Sequence, residues 1–221
     1  MKVIVFGATG MIGQGVLREC LLASDVEAVL TVGRAPTRQR HAKLREIAHA
    51  DLSDLTPIAG ELSGYDACFF CLGVSSVGMN EADYKRITYD YTLAAARPLA
   101  ADNPDLTFVF VSGAGTGRGN AMWSRVKKQA EDDVRALPFR AYMFRPGFVQ
   151  PLHGITSRTR LYRVLYGVFR PLVPVFRRLL RKQFTTTEAM GLAMLNAARG
   201  RSTKRVLDSP DINELASAHA V

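Results

Sequence analysis

The sequence predicts an α/β chain built on a doubly wound parallel sheet, and three observations predict it. Short apolar runs alternate with segments of helical periodicity from Lys2 to Arg145, the order expected when helices cover both faces of a parallel sheet. Two of those runs, Tyr65 to Leu72 and Leu106 to Val111, are apolar nearly throughout, as strands buried on both faces are. The 221 residues fit one domain, 1–221, with a full core.

Each element has its own signal. Lys2 to Phe6 reads as the first strand, and it runs straight into Gly7-Ala8-Thr9-Gly10-Met11-Ile12-Gly13. A helical pattern follows from Gly10 to about Ala23, and Val29 to Val32 is the second strand. Strand, glycine turn and helix in that order form a Rossmann-like dinucleotide site. The glycines let backbone N–H groups approach a pyrophosphate. The helix starting near Met11 turns its positive end toward that anion, and Gly13 lets the helix lie close to the strand. Arg34 follows the second strand, with Arg38 and Arg40 behind it. An NAD-selective site carries an acid at this place to accept from the ribose 2′-hydroxyl. A guanidinium instead matches a 2′-phosphate, so the expected cofactor is NADP(H).

Further along, Leu44 to Asp51 is a weakly patterned third strand, and Tyr65 to Leu72 is the fourth. Asn80 to Ala101 reads as one long helix, stopped by Asn103-Pro104. Leu106 to Val111 is the fifth strand, Ala121 to about Ala136 a helix, and Arg140 to Arg145 the sixth strand. After Pro146 the pattern changes to a basic, aromatic, Pro-broken helical region from about Ser157 to Lys182. The Thr run 185–187 with Glu188 caps a helix to about Arg199. A short strand near Arg205 to Leu207 and a helical turn near Ile212 to Ala216 close the chain.

Composition narrows the function classes. A strand that starts at residue 2 or 3 leaves no room for a signal peptide, and no apolar stretch is long enough to span a bilayer. Three cysteines suggest a reducing, cytoplasmic setting. Cys68 and Cys71 form a C-x-x-C inside a strand, where positions three apart face opposite ways. With four scattered histidines besides, no metal site is expected. From Val134 to Thr187 the chain has 11 Lys and Arg and no acid. No recognition helix or stacking module accompanies that charge, so nucleic acid is not an expected partner.

By Lys127 the chain resembles the short-chain dehydrogenase/reductase superfamily, and within it the atypical NAD(P)H-binding members similar to the Tat-interacting-protein-like and NmrA-like groups. The resemblance covers nearly the whole chain. It rests on Gly7-x-x-Gly10-x-x-Gly13, Arg34, Asp51-Leu52, Phe70-Cys71-Leu72-Gly73, Ser112-Gly113-Ala114, Lys127 and Arg145-Pro146-Gly147. It implies that Gly7, Thr9, Gly10, Met11, Ile12 and Gly13 hold the pyrophosphate, and that Asp51 and Leu52 contact adenine. It implies that Leu72, Gly73 and Val74 pass beside the adenosine ribose. Ser112 would face the nicotinamide and a substrate carbonyl, Lys127 would hold the nicotinamide ribose, and Pro146 and Gly147 would line the nicotinamide side. The implied activity is that of an oxidoreductase acting on a small-molecule acceptor.

One position departs from the resemblance. Trp123 stands four residues before Lys127, where the superfamily has its catalytic Tyr. Positions four apart share a helix face, which brings a phenol and an ammonium to one site. Indole N–H only donates and does not release its proton in water. Three readings stay open. The acceptor, a quinone for example, takes its proton from solvent. Another group supplies it: Lys127, Tyr84, Tyr89 or Tyr91. Or the chain binds the nucleotide without turnover and acts as a redox-responsive partner protein.

The segment 158–182 mixes apolar residues at helical spacing with eight cations. It reads as part of a substrate-side lid or helical extension, 151–190. A peripheral membrane contact and a homo-oligomer contact are the alternatives.

Overall fold

The computed structural model describes residues 1–156 and 183–218. The basic segment 158–182, with its lid and membrane readings, lies outside the described residues. The elements run β1 Lys2–Phe6, α1 Met11–Leu22, β2 Ala28–Gly33, β3 Leu44–Ala48, a 3-10 helix Thr56–Glu61 and β4 Ala67–Phe70. Next come α2 Glu81–Lys85, a π turn Arg86–Asp90, α3 Tyr91–Asp102, β5 Thr107–Val111, α4 Met122–Arg135, β6 Arg140–Arg145 and β7 Phe148–Gln150. The described chain resumes with β8 Phe184–Thr186, α5 Thr187–Ala198, β9 Val206–Asp208 and α6 Ser209–Ala216.

Among the described residues seven strands form one sheet in the order β3-β2-β1-β4-β5-β6-β9, and every neighbouring pair is parallel. Strand alternation divides the core in two. Val3, Val5, Phe69, Val109 and Phe144 pack beneath α1, α5 and α6 through Val16, Leu17, Met190, Met194 and Ile212. Ile4, Phe6, Cys68, Phe70, Phe108 and Phe110 pack beneath α3 and α4 through Leu93, Leu99, Ala130 and Val134. Burying both faces of a parallel sheet is what makes its strands apolar at every position. This is the Rossmann-like, doubly wound arrangement. Cys68 and Cys71 pack against opposite cores, and all three cysteines are free thiols.

The structure differs from the sequence expectations at several boundaries, each with a local cause. β3 stops at Ala48 rather than Asp51, because Asp51 closes an Asx turn, accepting from Ser53 N at 2.9 Å. The long helix begins where Asn80 accepts from Asp83 N at 2.9 Å. It then passes through the π turn, where Thr92 Oγ1 donates to Thr88 O at 2.7 Å. Two elements were not anticipated: the 3-10 helix, and a second, two-stranded sheet in which β7 pairs β8 in parallel. The rings of Phe148 and Phe184 meet at 4.7 Å in that pair. The last helix is longer than expected, since Asp208 and Asp211 form a capping box at its start.

Candidate functional site

Strand order reverses at β1: the chain runs outward through β2 and β3 on one side and through β4 and β5 on the other. Ligands of open α/β sheets bind at the carboxyl ends of the strands at such a switch point. Gly7 leaves β1 at φ +75°, and a Cβ there would lie 2.6 Å from Leu72 N. The turn therefore needs glycine both for its backbone angle and for the passage of the chain leaving β4. Gly10 N donates to Gly7 O at 2.9 Å and closes the turn. A Cβ on Gly13 would sit 2.1 Å from Gly7 O, so α1 lies directly on the turn. Gly10 precedes α1 and no side chain caps it. The first-turn N–H groups at Met11 and Ile12, which a helix cannot satisfy internally, are thus left for an anion. Thr9 O accepts from Gln14 Nε2 at 3.2 Å, and the same amide reaches Thr156 O at 3.5 Å. That bond ties the 151–156 stretch to the turn. A backbone cradle that a Cβ would fill, facing an uncapped helix start, fits a pyrophosphate.

Arg34 follows the end of β2 and is exposed, as are Arg38 and Arg40. Among the described residues no hydrogen bond or ion pair holds any of the three. The loop that carries them is anchored at Thr37, whose N–H donates to Glu46 Oε2 on β3 at 2.7 Å. On the far side of β2, Asp51 is exposed, and its bonds from Ser53 hold its carboxyl below the usual range. Leu52 buries its side chain in the core. Leu72 is half-buried beside the turn, and Gly73 and Val74 are exposed.

β5, α4 and β6 meet at the other end of the crevice. Ser112 follows β5 directly and is buried; its hydroxyl lies 2.5 Å from Glu131 Oε1 and 3.2 Å from Phe144 O. Glu131, on α4, is 1% exposed. It also accepts from Arg145 Nε at 2.9 Å and from a second nitrogen of the same guanidinium. Ser112 hydroxyl is therefore engaged by a carboxylate. Lys127 donates to Ser112 O, and burial lowers its pKa to about 8 against an opposing pull from Glu131. Ala114 N donates to Pro146 O at 2.9 Å, and Gly147 N to Ser209 Oγ at 3.0 Å, which fixes the Pro146-Gly147 corner beside Ser112. Trp123 lies one turn before Lys127; its ring edge is 3.1 Å from where a Cβ on Gly115 would be.

Sequence reasoning missed Glu131 and the part Arg145 plays. The spacing of Lys127 and Glu131, four residues apart on one face of α4, was the available signal. Nothing local says that this carboxylate is buried, because its partners come from β5 and β6. The alternative tyrosines are otherwise engaged. Tyr89 donates to Asp133 at 2.5 Å, and that bond raises its pKa. Tyr84 is buried, and burial raises its pKa. Tyr91 packs half-buried against the core. A cavity of about 430 Å³ lies between the 3-10 helix and α3, lined by Leu55, Thr56, Leu93 and Arg97 among others. It includes none of the crevice residues.

Residues 3–140 match the family described as NAD dependent epimerase/dehydratase. Protein FMP52-1, mitochondrial, of Scheffersomyces stipitis is 29% identical over 176 residues, spanning 78% of this chain and 77% of that protein. Similar proteins of Meyerozyma guilliermondii and Emericella nidulans are also named mitochondrial. Those names overturn the cytoplasmic expectation. Free cysteines separate reducing from oxidising settings and carry no finer address. Among solved structures, a short-chain dehydrogenase/reductase family oxidoreductase from Burkholderia thailandensis has a TM-score of 0.71 at 17% identity, covering 94% of this chain and 90% of that one. The Bordetella bronchiseptica enzyme WbmH in complex with NAD+ has a TM-score of 0.68 at 16% identity, covering 94% and 74%. At these identities the likeness is one of fold.

Proposed function

Since the chain belongs to the NAD dependent epimerase/dehydratase family, as an atypical member of the short-chain dehydrogenase/reductase superfamily, we propose that it is an NADP(H)-binding oxidoreductase that reduces a small apolar carbonyl or quinone-like acceptor. The observation that carries this reading is the glycine cradle. Backbone atoms occupy the Cβ positions of Gly7 and Gly13, the start of α1 is uncapped, and Arg34 stands without a partner among the described residues.

Gly7, Thr9, Gly10, Met11, Ile12 and Gly13 would hold the pyrophosphate, and Arg34 the 2′-phosphate. Asp51, Leu52, Leu72, Gly73 and Val74 would border the adenosine. Lys127, Pro146 and Gly147 would border the nicotinamide end. The bound dinucleotide supplies a hydride from its nicotinamide. The chain's own work is to orient the two reactants against each other, the source of much of an enzyme's rate. Ser112 positions rather than donates here, since Glu131 and Phe144 O take up its hydroxyl. Trp123 shapes the pocket wall above Gly115, and its indole N–H donates a hydrogen bond without releasing the proton.

Arg34→Ala tests the cofactor choice. A charge-assisted hydrogen bond from a guanidinium contributes about 1.5–3 kcal/mol, or roughly one to two decades of affinity. Calorimetric titration is expected to show that loss for NADPH and little change for NADH. Equal losses for both cofactors would mean that Arg34 does not read the phosphate.

A second reading, a nucleotide-sensing protein without turnover, draws on Trp123 and on the engaged Ser112 hydroxyl. Consumption of NADPH with any carbonyl or quinone excludes it.

A further inference from the structure

With Trp123 in place of a phenol, the crevice needs another source for the proton that accompanies hydride. The described residues around Ser112 contain one group placed and charged for it. Lys127 Nζ bonds the carbonyl of Ser112 at the carboxyl end of β5, the edge at which this sheet class binds its ligands. Among the described residues no carboxylate pairs with it. Glu131, four residues on and the nearest acid on the same helix face, is bound by two Arg145 nitrogens and by Ser112. Lys127 is thus a half-buried ammonium whose described contact is a neutral carbonyl. Gly113, next to that carbonyl, presents no side chain toward it; a Cβ there would stand 3.4 Å from Nζ.

The other titratable groups about α4 are committed elsewhere. Arg145, from β6, is held by Glu131. Tyr89, from the π turn, donates to Asp133. From α2, Tyr84 is buried and Glu81 pairs with Arg125. Lys128 pairs with Asp132 on the outer face of α4.

We propose that Lys127 is the proton donor of this site, filling the role that Trp123 cannot fill. The proposal rests on the hydride-transfer reading above. As the acceptor carbon takes hydride, the reduced nicotinamide being oxidised, an N–H bond of Lys127 breaks and an O–H bond forms on the acceptor oxygen. The product is the alcohol, and the neutral amine regains its proton from water. Burial supports this chemistry, since it lowers the Lys127 pKa to about 8, close to where a general acid is most effective. An ordinary lysine holds its proton too tightly.

The experiment follows the full chain with saturating NADPH and an aldehyde panel across pH, in wild type, Lys127→Met and Lys127→Arg. Wild-type kcat should be level at low pH and fall as pH rises through about 8, because the protonated amine is the active form. Lys127→Met should lose roughly 10²–10³ in kcat and lose that limb. Lys127→Arg keeps the charge but cannot release its proton in this range, so it should bind NADPH and stay slow. Independently of turnover, amine NMR of the dinucleotide-free chain should show one lysine titrating near 8 that is missing in Lys127→Arg. A fast Lys127→Arg, a pH limb that survives in Lys127→Met, or no lysine titrating near 8 overturns the proposal and leaves the hydride reading standing. Wild type that binds NADPH and consumes it with no acceptor overturns both.

Discussion

Glu131→Ala is expected to cost about 3–5 kcal/mol of folding stability, the range for removing one partner of a buried ion pair. The carboxylate is 1% exposed and holds three donors at once: Ser112 Oγ, Arg145 Nε and a second Arg145 nitrogen. Truncation strands a guanidinium between β6 and α4 and leaves the Ser112 hydroxyl with Phe144 O alone. Arg145 keeps 20% of its side-chain surface, so water can partly rehydrate it, and the lower end of the range is expected. Glu131→Gln keeps one acceptor oxygen for Ser112 and Arg145 Nε but sets an amide NH2 against the second Arg145 nitrogen and loses the charge, so it should cost less than Ala but remain destabilising. Denaturant midpoints at neutral pH measure both. A loss under about 1 kcal/mol in Glu131→Ala would mean that the pair is not buried as described.

Gly13→Ala should have the second large effect, on both folding and nucleotide affinity. An added methyl group in a helix ordinarily stabilises it by about 1 kcal/mol relative to glycine. Here the Cβ would lie 2.1 Å from Gly7 O and 2.9 Å from Ala8 Cα, and both are backbone atoms that cannot swing aside. Overpacking of this kind costs about 1–3 kcal/mol or more, so sterics outweigh propensity. The displaced carbonyl is also the acceptor of Gly10 N, so relief of the clash opens the turn. NADPH affinity should fall by about 100-fold, or ~2.7 kcal/mol. Gly60→Ala, where a Cβ meets nothing within 4 Å, is the control and should leave binding unchanged. Gly13→Ala with wild-type affinity would place the dinucleotide elsewhere.

The sheet was legible in the sequence because buried parallel strands announce themselves. The run Ala67 to Phe70 has both faces covered, and so no polar residue interrupts it. Gly7 and Gly13 were legible for a similar reason: the positive φ of Gly7 and the approach of Gly13 to Gly7 O arise within the turn and the helix start, although Leu72 also crowds Gly7 from β4. What was illegible depends on distant partners. β7 and β8 are three residues each, too short for a periodic signal, and they exist because Phe148 and Phe184 meet. Asp51 looks like a strand end, and only its bond to Ser53 turns the chain there. The engagement of Ser112 was invisible because Glu131 lies 19 positions away on another element. The compartment was misread because thiols and bulk charge do not encode it.

The proposed role of this crevice is to hold NADPH and pass its hydride to a small acceptor. The decisive measurement follows NADPH and NADH oxidation by the wild-type chain with small quinones and aldehydes. NADPH should be consumed one for one with at least one acceptor, and at low cofactor concentration it should have an advantage over NADH of roughly one to two decades. NADPH bound but never consumed, or NADH used equally well, would contradict it.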